Sequence, residues 1–137
     1  MAEIRELMTQ NPARLSTGST IVDAARLMRD HDTGIAPITD GDRLVGVITD
    51  RDIAIEVVAA GKDAQSTKVD EVASQNLVTI DPQQSLDEAL RLMAQHQVRR
   101  LPVVEEDGRL VGILAQADVA RHADPERTGE VVEEISE

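Results

Sequence analysis

Two stretches of this chain hold the residues best suited to chemistry. "GVITDRDIAI", residues 46–55, follows its apolar run with Thr49 and Asp52, whereas "GILAQADVAR", residues 112–121, keeps Asp118 but has Ala115 where the hydroxyl stood. A hydroxyl and a carboxylate three residues apart form a helix-capping pattern. The same pair can also bind a ligand, because a carboxylate accepts from two vicinal hydroxyls at once and an adjoining helix N-terminus favours phosphate. Arg51 and the Arg99–Arg100 pair are the cations nearest these patterns, and a guanidinium fork suits phosphate oxygens. Adjacent strand residues point to opposite faces, so only one of Arg99 and Arg100 can face a given side. The alternative for all three is a solvated surface cation.

Composition limits what these residues can serve. A net charge of −12 and a pI near 4.6 disfavour nucleic acid and anionic membrane surfaces, although a local cluster can still hold a small anion. With no Phe, Tyr or Trp, a planar ligand must sit between aliphatic side chains. The absence of Cys removes disulfides, thiol nucleophiles and zinc-thiolate sites. His31, His96 and His122 are too scattered for a metal cage and suit helix ends, where the dipole favours a cation. Neither a G-x-S-x-G elbow nor a Walker lysine loop is present, so no enzyme is expected. The opening "MAEIRELMTQ" is charged and no 18-residue uncharged stretch occurs. The expectation is a cytoplasmic protein without signal peptide or membrane span.

The elements that position these residues come in two copies. A shift of 65 residues places Arg26-Leu27-Met28 on Arg91-Leu92-Met93, His31 on His96 and Pro37 on Pro102; after a slip at Gly108 the shift is 66, placing Gly46 on Gly112 and Asp52 on Asp118. Each copy opens with a helical turn ("IRELMTQ", "VDEVASQ") and a short strand, which in the second copy is "LVTI". A helix follows, capped by Thr20–Asp23 or Ser85–Glu88, with an apolar stripe from Ile21 to Met28 or Leu86 to Met93. Two strands joined by Asp-Gly turns at Asp40-Gly41 and Asp107-Gly108 come next. A second helix, from Asp50 to about Ala60 or from Gln116 to about His122, closes the unit. The fold class is α+β, with β-α-β-β-α in each repeat. One three-stranded sheet of this size buries too little surface alone, so the two are expected to pack sheet to sheet with pseudo-two-fold symmetry. The boundaries expected are repeat 1 at 1–61, a polar linker at 62–68, repeat 2 at 69–123 and an acidic tail at 124–137. Val131, Val132 and Ile135 form at most a weak amphipathic turn in that tail.

With "HDTGIAPI…GDRLVGVITDRDI" and "HQVRRLPVVEEDGRLVGILAQADVARH", residues 4 to about 122 resemble a tandem pair of CBS domains, the Bateman module. "TDRDIAIEVVAAGKD" and "HQVRRLPVV" are similar to stand-alone pairs of the hypoxic-response type. The resemblance implies a homodimer of pairs that regulates an unidentified effector protein. Its clefts bind an adenosine-containing molecule, AMP, ADP, ATP or S-adenosylmethionine, as a regulatory ligand, with no cofactor required. In the family's G-x-x-[ST]-x-x-D segment the Asp bonds ribose hydroxyls and the Ser or Thr contacts ribose or phosphate, roles that fall on Thr49 and Asp52. The resemblance completes that cleft with Leu77, Val78, Thr79, Val98, Arg99, Arg100 and Leu101, and makes Arg51 a second phosphate candidate. It builds a second cleft from Asp118 with Ala13, Arg14, Gly34, Ile35 and Ala36. There Ala115 removes a hydroxyl and Gly34 stands where Arg99 stands in the other copy, so one competent and one weaker site are expected. The alternative is an interaction homodimer with empty clefts.

Overall fold

The computed structural model of the chain describes residues 3–75 and 77–121. In chain order the elements are α1 (Ile4–Leu7), β1 (Thr9–Gln10), β2 (Leu15–Ser16), α2 (Ile21–Asp30), β3 (Ile35–Asp40), β4 (Arg43–Thr49), α3 (Asp50–Ile53), α4 (Leu86–His96), β5 (Arg100–Val104), β6 (Leu110–Ala115) and α5 (Gln116–Ala120). They form two compact units, one of residues 13–77 and one of residues 1–12 with 78–137.

In the first unit β2 lies parallel to β3, and β3 pairs antiparallel with β4 from Ile35↔Thr49 to Asp40↔Arg43. Gly41 turns the hairpin at φ +62, a conformation that suits glycine. Alternate residues of β4, Leu44, Gly46 and Ile48, are buried, as the period of two requires. Ile21, Ala24 and Met28, the expected stripe of α2, pack with Ile38, Ile48, Val57 and Val69. All four leading N–H groups of α2 find acceptors: Ile21 donates to the Thr67 carbonyl, Val22 to Ala64, Asp23 to Thr20 Oγ1 and Ala24 to the Thr20 carbonyl. Two carbonyls of the 62–68 segment thus serve the start of α2, and Thr67 itself is buried.

The second unit repeats the plan with one strand changed. Its sheet runs β1-β6-β5, β5 and β6 pairing from Arg100↔Ala115 to Val104↔Leu110. The expected strand at 77–80 shrinks to one parallel bridge, Ile80↔Val103. The next N–H, that of Asp81, donates to Gln84 Oε1 at 2.9 Å and leaves the ladder. The third strand is β1, antiparallel to β6. Its counterpart in the first unit is the bridge between Val47 and Ser74. Thus the opening segment of each sequence repeat lies in the compact unit built from the other repeat.

Both closing helices differ from expectation. α3 ends at Ile53 and continues as a π-helix, Ala54–Val58, with Ala59 N–H reaching the Ala54 carbonyl. α5 runs to Ala120; His122 and the tail at 124–137 lie outside the described residues.

The close approach of β1 to β6 constrains Gly112, where a Cβ would meet Met8 Sδ at 2.4 Å, Met8 Cγ at 2.8 Å and the Thr9 carbonyl at 3.0 Å. At Gly46 the nearest atom, the Ser74 carbonyl, is 3.4 Å away. Gly112→Ala is expected to destabilise the fold by about 1–3 kcal/mol and Gly46→Ala by less, measured by urea unfolding. Equal effects would contradict the closer packing at β1. Acid should act through α2: the Thr20 backbone N–H, bonded to the Asp23 carboxylate at 2.9 Å, holds that pKa below its ordinary value. The stabilisation is present above the ordinary carboxylate range and is lost as pH falls through the lowered pKa. Asp23→Asn should flatten this acid limb in urea midpoints measured against pH.

Candidate ligand site

Where β4 passes into α3 the chain must leave a ladder and start a helix, and Thr49 and Asp52 make that junction. Thr49 is extended, at φ −114 and ψ 163, and Asp52 N–H donates to its Oγ1 at 3.1 Å. In return Thr49 N–H donates to Asp52 Oδ2 at 2.9 Å. This reciprocal capping box fixes both side chains, which are half-buried. It leaves the second carboxylate oxygen, Oδ1, and the hydroxyl proton available. Arg51 beside them is exposed and forms no ion pair among the described residues.

The matching junction from β6 into α5 is built differently. Ala115 offers no side-chain cap. Asp118 is instead paired with Arg121, one turn away. Arg100 stands opposite Ala115 in register, and Gln116 N–H donates to the Arg99 carbonyl at 2.7 Å. Arg99 and Arg100 are both exposed and have no carboxylate within ion-pairing distance among the described residues, whereas Arg5, Arg29, Arg91, Arg109 and Arg121 do.

The sequence-derived site residues divide between the units. Residues 13–77 hold Thr49, Arg51, Asp52 and Leu77 together with Ala13, Arg14, Gly34, Ile35 and Ala36 of the other expected cleft. Val78, Thr79, Val98, Arg99, Arg100, Leu101 and Asp118 lie in the second unit. Within the first unit Thr49 is paired in register with Ile35, and Asp50 N–H donates to the Gly34 carbonyl at 2.9 Å. Of the residues named by the sequence, Leu101 and Ala36 are fully buried.

Three features escaped the sequence. The Asp50 carboxylate lies over Gly34, its Oδ2 standing 3.0 Å from where a Cβ would be. An acid therefore stands over the position equivalent in sequence to Arg99 of the other repeat. Gly46, the glycine of the motif, faces Ala73 and the Ser74 carbonyl of the crossing segment. A cavity of about 190 Å³, lined in part by Thr17, Asp40, Gly46, Asp70 and Gln75, opens beside that crossing and away from Thr49 and Asp52.

The family model for the CBS domain matches this chain twice, over residues 4–59 and 69–124. The chain belongs to the CBS domain family. It is 46% identical over 120 residues to the CBS domain-containing protein YhcV of Bacillus subtilis, covering 88% of this chain and 84% of that one. To Hypoxic response protein 1 of Mycobacterium tuberculosis it is 43% identical over 123 residues, covering 89% and 85%. The crystal structure of Hypoxic Response Protein I with two coordinated zinc ions superposes with a TM-score of 0.82 at 42% identity, covering 90% of this chain and all of that one. CBSX2 in complex with AMP gives 0.75 at 25% identity over 89% and 96% of the two chains. The CBS pair of MJ0100, with 5-methylthioadenosine and S-adenosyl-L-methionine, gives 0.78 at 26% over 88% and 98%. The α+β fold of two CBS repeats agrees with these structures. Among the described residues of this chain no group of three or more His, Asp or Glu side chains is placed to hold a metal ion.

The unequal junctions predict unequal responses. Thr49→Val removes a cap and should lower stability by about 1 kcal/mol, and Ala115→Thr should raise it by a similar amount. Thermal unfolding midpoints check both, and a destabilising Ala115→Thr would contradict the uncapped start of α5.

Proposed function

We propose that this CBS pair is a regulatory module that binds an adenosine-containing ligand, AMP, ADP, ATP or S-adenosylmethionine, with Asp52 and Thr49 holding the ribose. The observation that carries the reading is the state of Asp52. Its capping bond fixes the carboxylate yet spends only one oxygen, and the other can accept a ribose hydroxyl without disturbing the helix start. Binding and capping are then one arrangement. Preorganisation of this kind lowers the entropy lost on binding. Leu77, Val78, Thr79 and Val98 would supply aliphatic and backbone contacts to adenine, while Arg100, with Arg99 or Arg51, would meet phosphate. The ligands in CBSX2 and MJ0100 support the class of molecule.

The second cleft, with Asp118, Ala13, Arg14, Gly34, Ile35 and Ala36, would be the weaker one. Asp118 is engaged by Arg121, Ala115 brings no hydroxyl, and Asp50 sets a negative charge over Gly34. The module would act in the cytoplasm, without catalysis of its own, as a homodimer that passes its ligand state to an effector protein. Among the described residues no helix is long and apolar enough to cross a membrane. Ile55 and Val58, exposed by 50% and 71% on the π-helical stretch, are suited to contact with a second copy. They also favour the other reading, an interaction homodimer whose clefts stay empty.

A dye-reported thermal titration of nucleotide-stripped protein discriminates the two. A ligand that binds only the folded state adds about 2.7 kcal/mol at a hundredfold excess over Kd. The ligand-induced rise should vanish in Asp52→Ala and persist in Asp118→Ala, each compared with its own ligand-free midpoint. Equal losses would refute the unequal clefts, and no rise with any of the four ligands would favour the interaction homodimer.

A further inference from the structure

We infer that Gln116 is a further ligand-binding residue, one whose side-chain amide donates to a phosphate group held beside Arg99. Gln116 Nε2 has no accessible surface and no hydrogen-bond partner, and it is the one buried side-chain nitrogen or oxygen in that condition among the described residues. A buried amide donor without an acceptor is costly to keep. The residue as a whole is only half-buried, and nothing ties its amide nitrogen down. Turning it outward breaks no bond at Nε2 and gains one when an acceptor is present.

Its surroundings define that acceptor. Gln116 N–H is bonded to the Arg99 carbonyl, and the preceding Ala115 stands in register with Arg100. Among the described residues neither guanidinium group has a carboxylate within ion-pairing distance, although Asp and Glu outnumber Lys and Arg by 26 to 14 in the chain. Asp118, two positions along, is taken by Arg121. This corner therefore brings an unpaired amide donor together with positive charge, which suits an anion with several acceptor oxygens. The equivalent corner of the other repeat has the opposite character. Asp50 stands where Gln116 stands and Gly34 where Arg99 stands, and the Asp50 carboxylate covers the gap. The contrast assigns phosphate recognition to the Gln116 corner. The identity of the nucleoside attached to that phosphate rests on the function proposed above; the anion site does not.

The test compares wild-type chain with Gln116→Met, close to Gln in size and without the amide, by isothermal titration with AMP, adenosine and inorganic pyrophosphate. Loss of a hydrogen bond to a charged group should weaken AMP about tenfold or more and leave adenosine unchanged. The ligand-free melting point of Gln116→Met should equal or exceed that of wild type, since an unpaired donor is gone. In amide spectra of the wild-type chain, the Gln116 side-chain signals should shift with pyrophosphate. Unchanged AMP affinity in Gln116→Met would overturn the inference, as would failure of both AMP and pyrophosphate to bind wild type. Pyrophosphate binding that is lost in the variant, with no added affinity from adenosine, would support the anion site while removing the adenosyl reading.

Discussion

The fold depends on a short piece of backbone crossing a strand that has no side chain in its way. β1 reaches β6 because Gly112 leaves room for Met8 and Thr9, and Ser74 reaches Val47 beside Gly46. In the second unit β1 gives the β5–β6 hairpin its third strand, and in the first the Ser74 bridge adds to a sheet that β2 already completes; a hairpin alone is marginal in water. The cores follow from these contacts. Ile4 and Met8 are buried with Leu101, Leu114 and Met93, and Val69 with Ile21, Ile38 and Ile48. Gly112, the counterpart of the glycine that opens the G-x-x-[ST]-x-x-D segment, thus belongs first to the architecture.

The strand-to-helix junction is where architecture and chemistry share residues. In one repeat Thr49 and Asp52 bond each other and hold a carboxylate in a fixed direction. In the other, Ala115 brings no cap, Asp118 pairs with Arg121 and Gln116 has an unpaired donor. The two junctions are similar in backbone and opposite in charge, Asp50 over Gly34 in one and Arg99 beside Gln116 in the other. A duplicated fold has in this way become two chemically different corners.

Much of this was legible in the sequence because it is local. Thr20, Ser85 and Thr49 cap the helices at the expected residues. Gly41 and Gly108 take the positive φ their Asp-Gly turns require. The stripes of α2 and α4 face the cores as their spacing implied. What escaped is tertiary. Two-residue strands such as β1 carry no alternation to read, and nothing in "TQ" names β6 as its partner. Residues 62–68 are polar in side chain and bind through carbonyls, which no composition reveals. The orphan amide of Gln116 is a property of packing, invisible until the surroundings are known.

The exchange of opening segments has a consequence for how such a chain could arise. A single repeat of this design owns a segment that its own sheet does not use and a sheet that lacks that segment. The vacancy is filled only by another copy, so the smallest self-sufficient ancestor is a pair of identical chains trading their first residues. Fusing the two genes turns that trade into an intramolecular event at an effective concentration on the order of millimolar. Once the partners share one polypeptide they no longer need to be identical, and Thr49 and Ala115, or Asp50 and Gln116, become free to diverge.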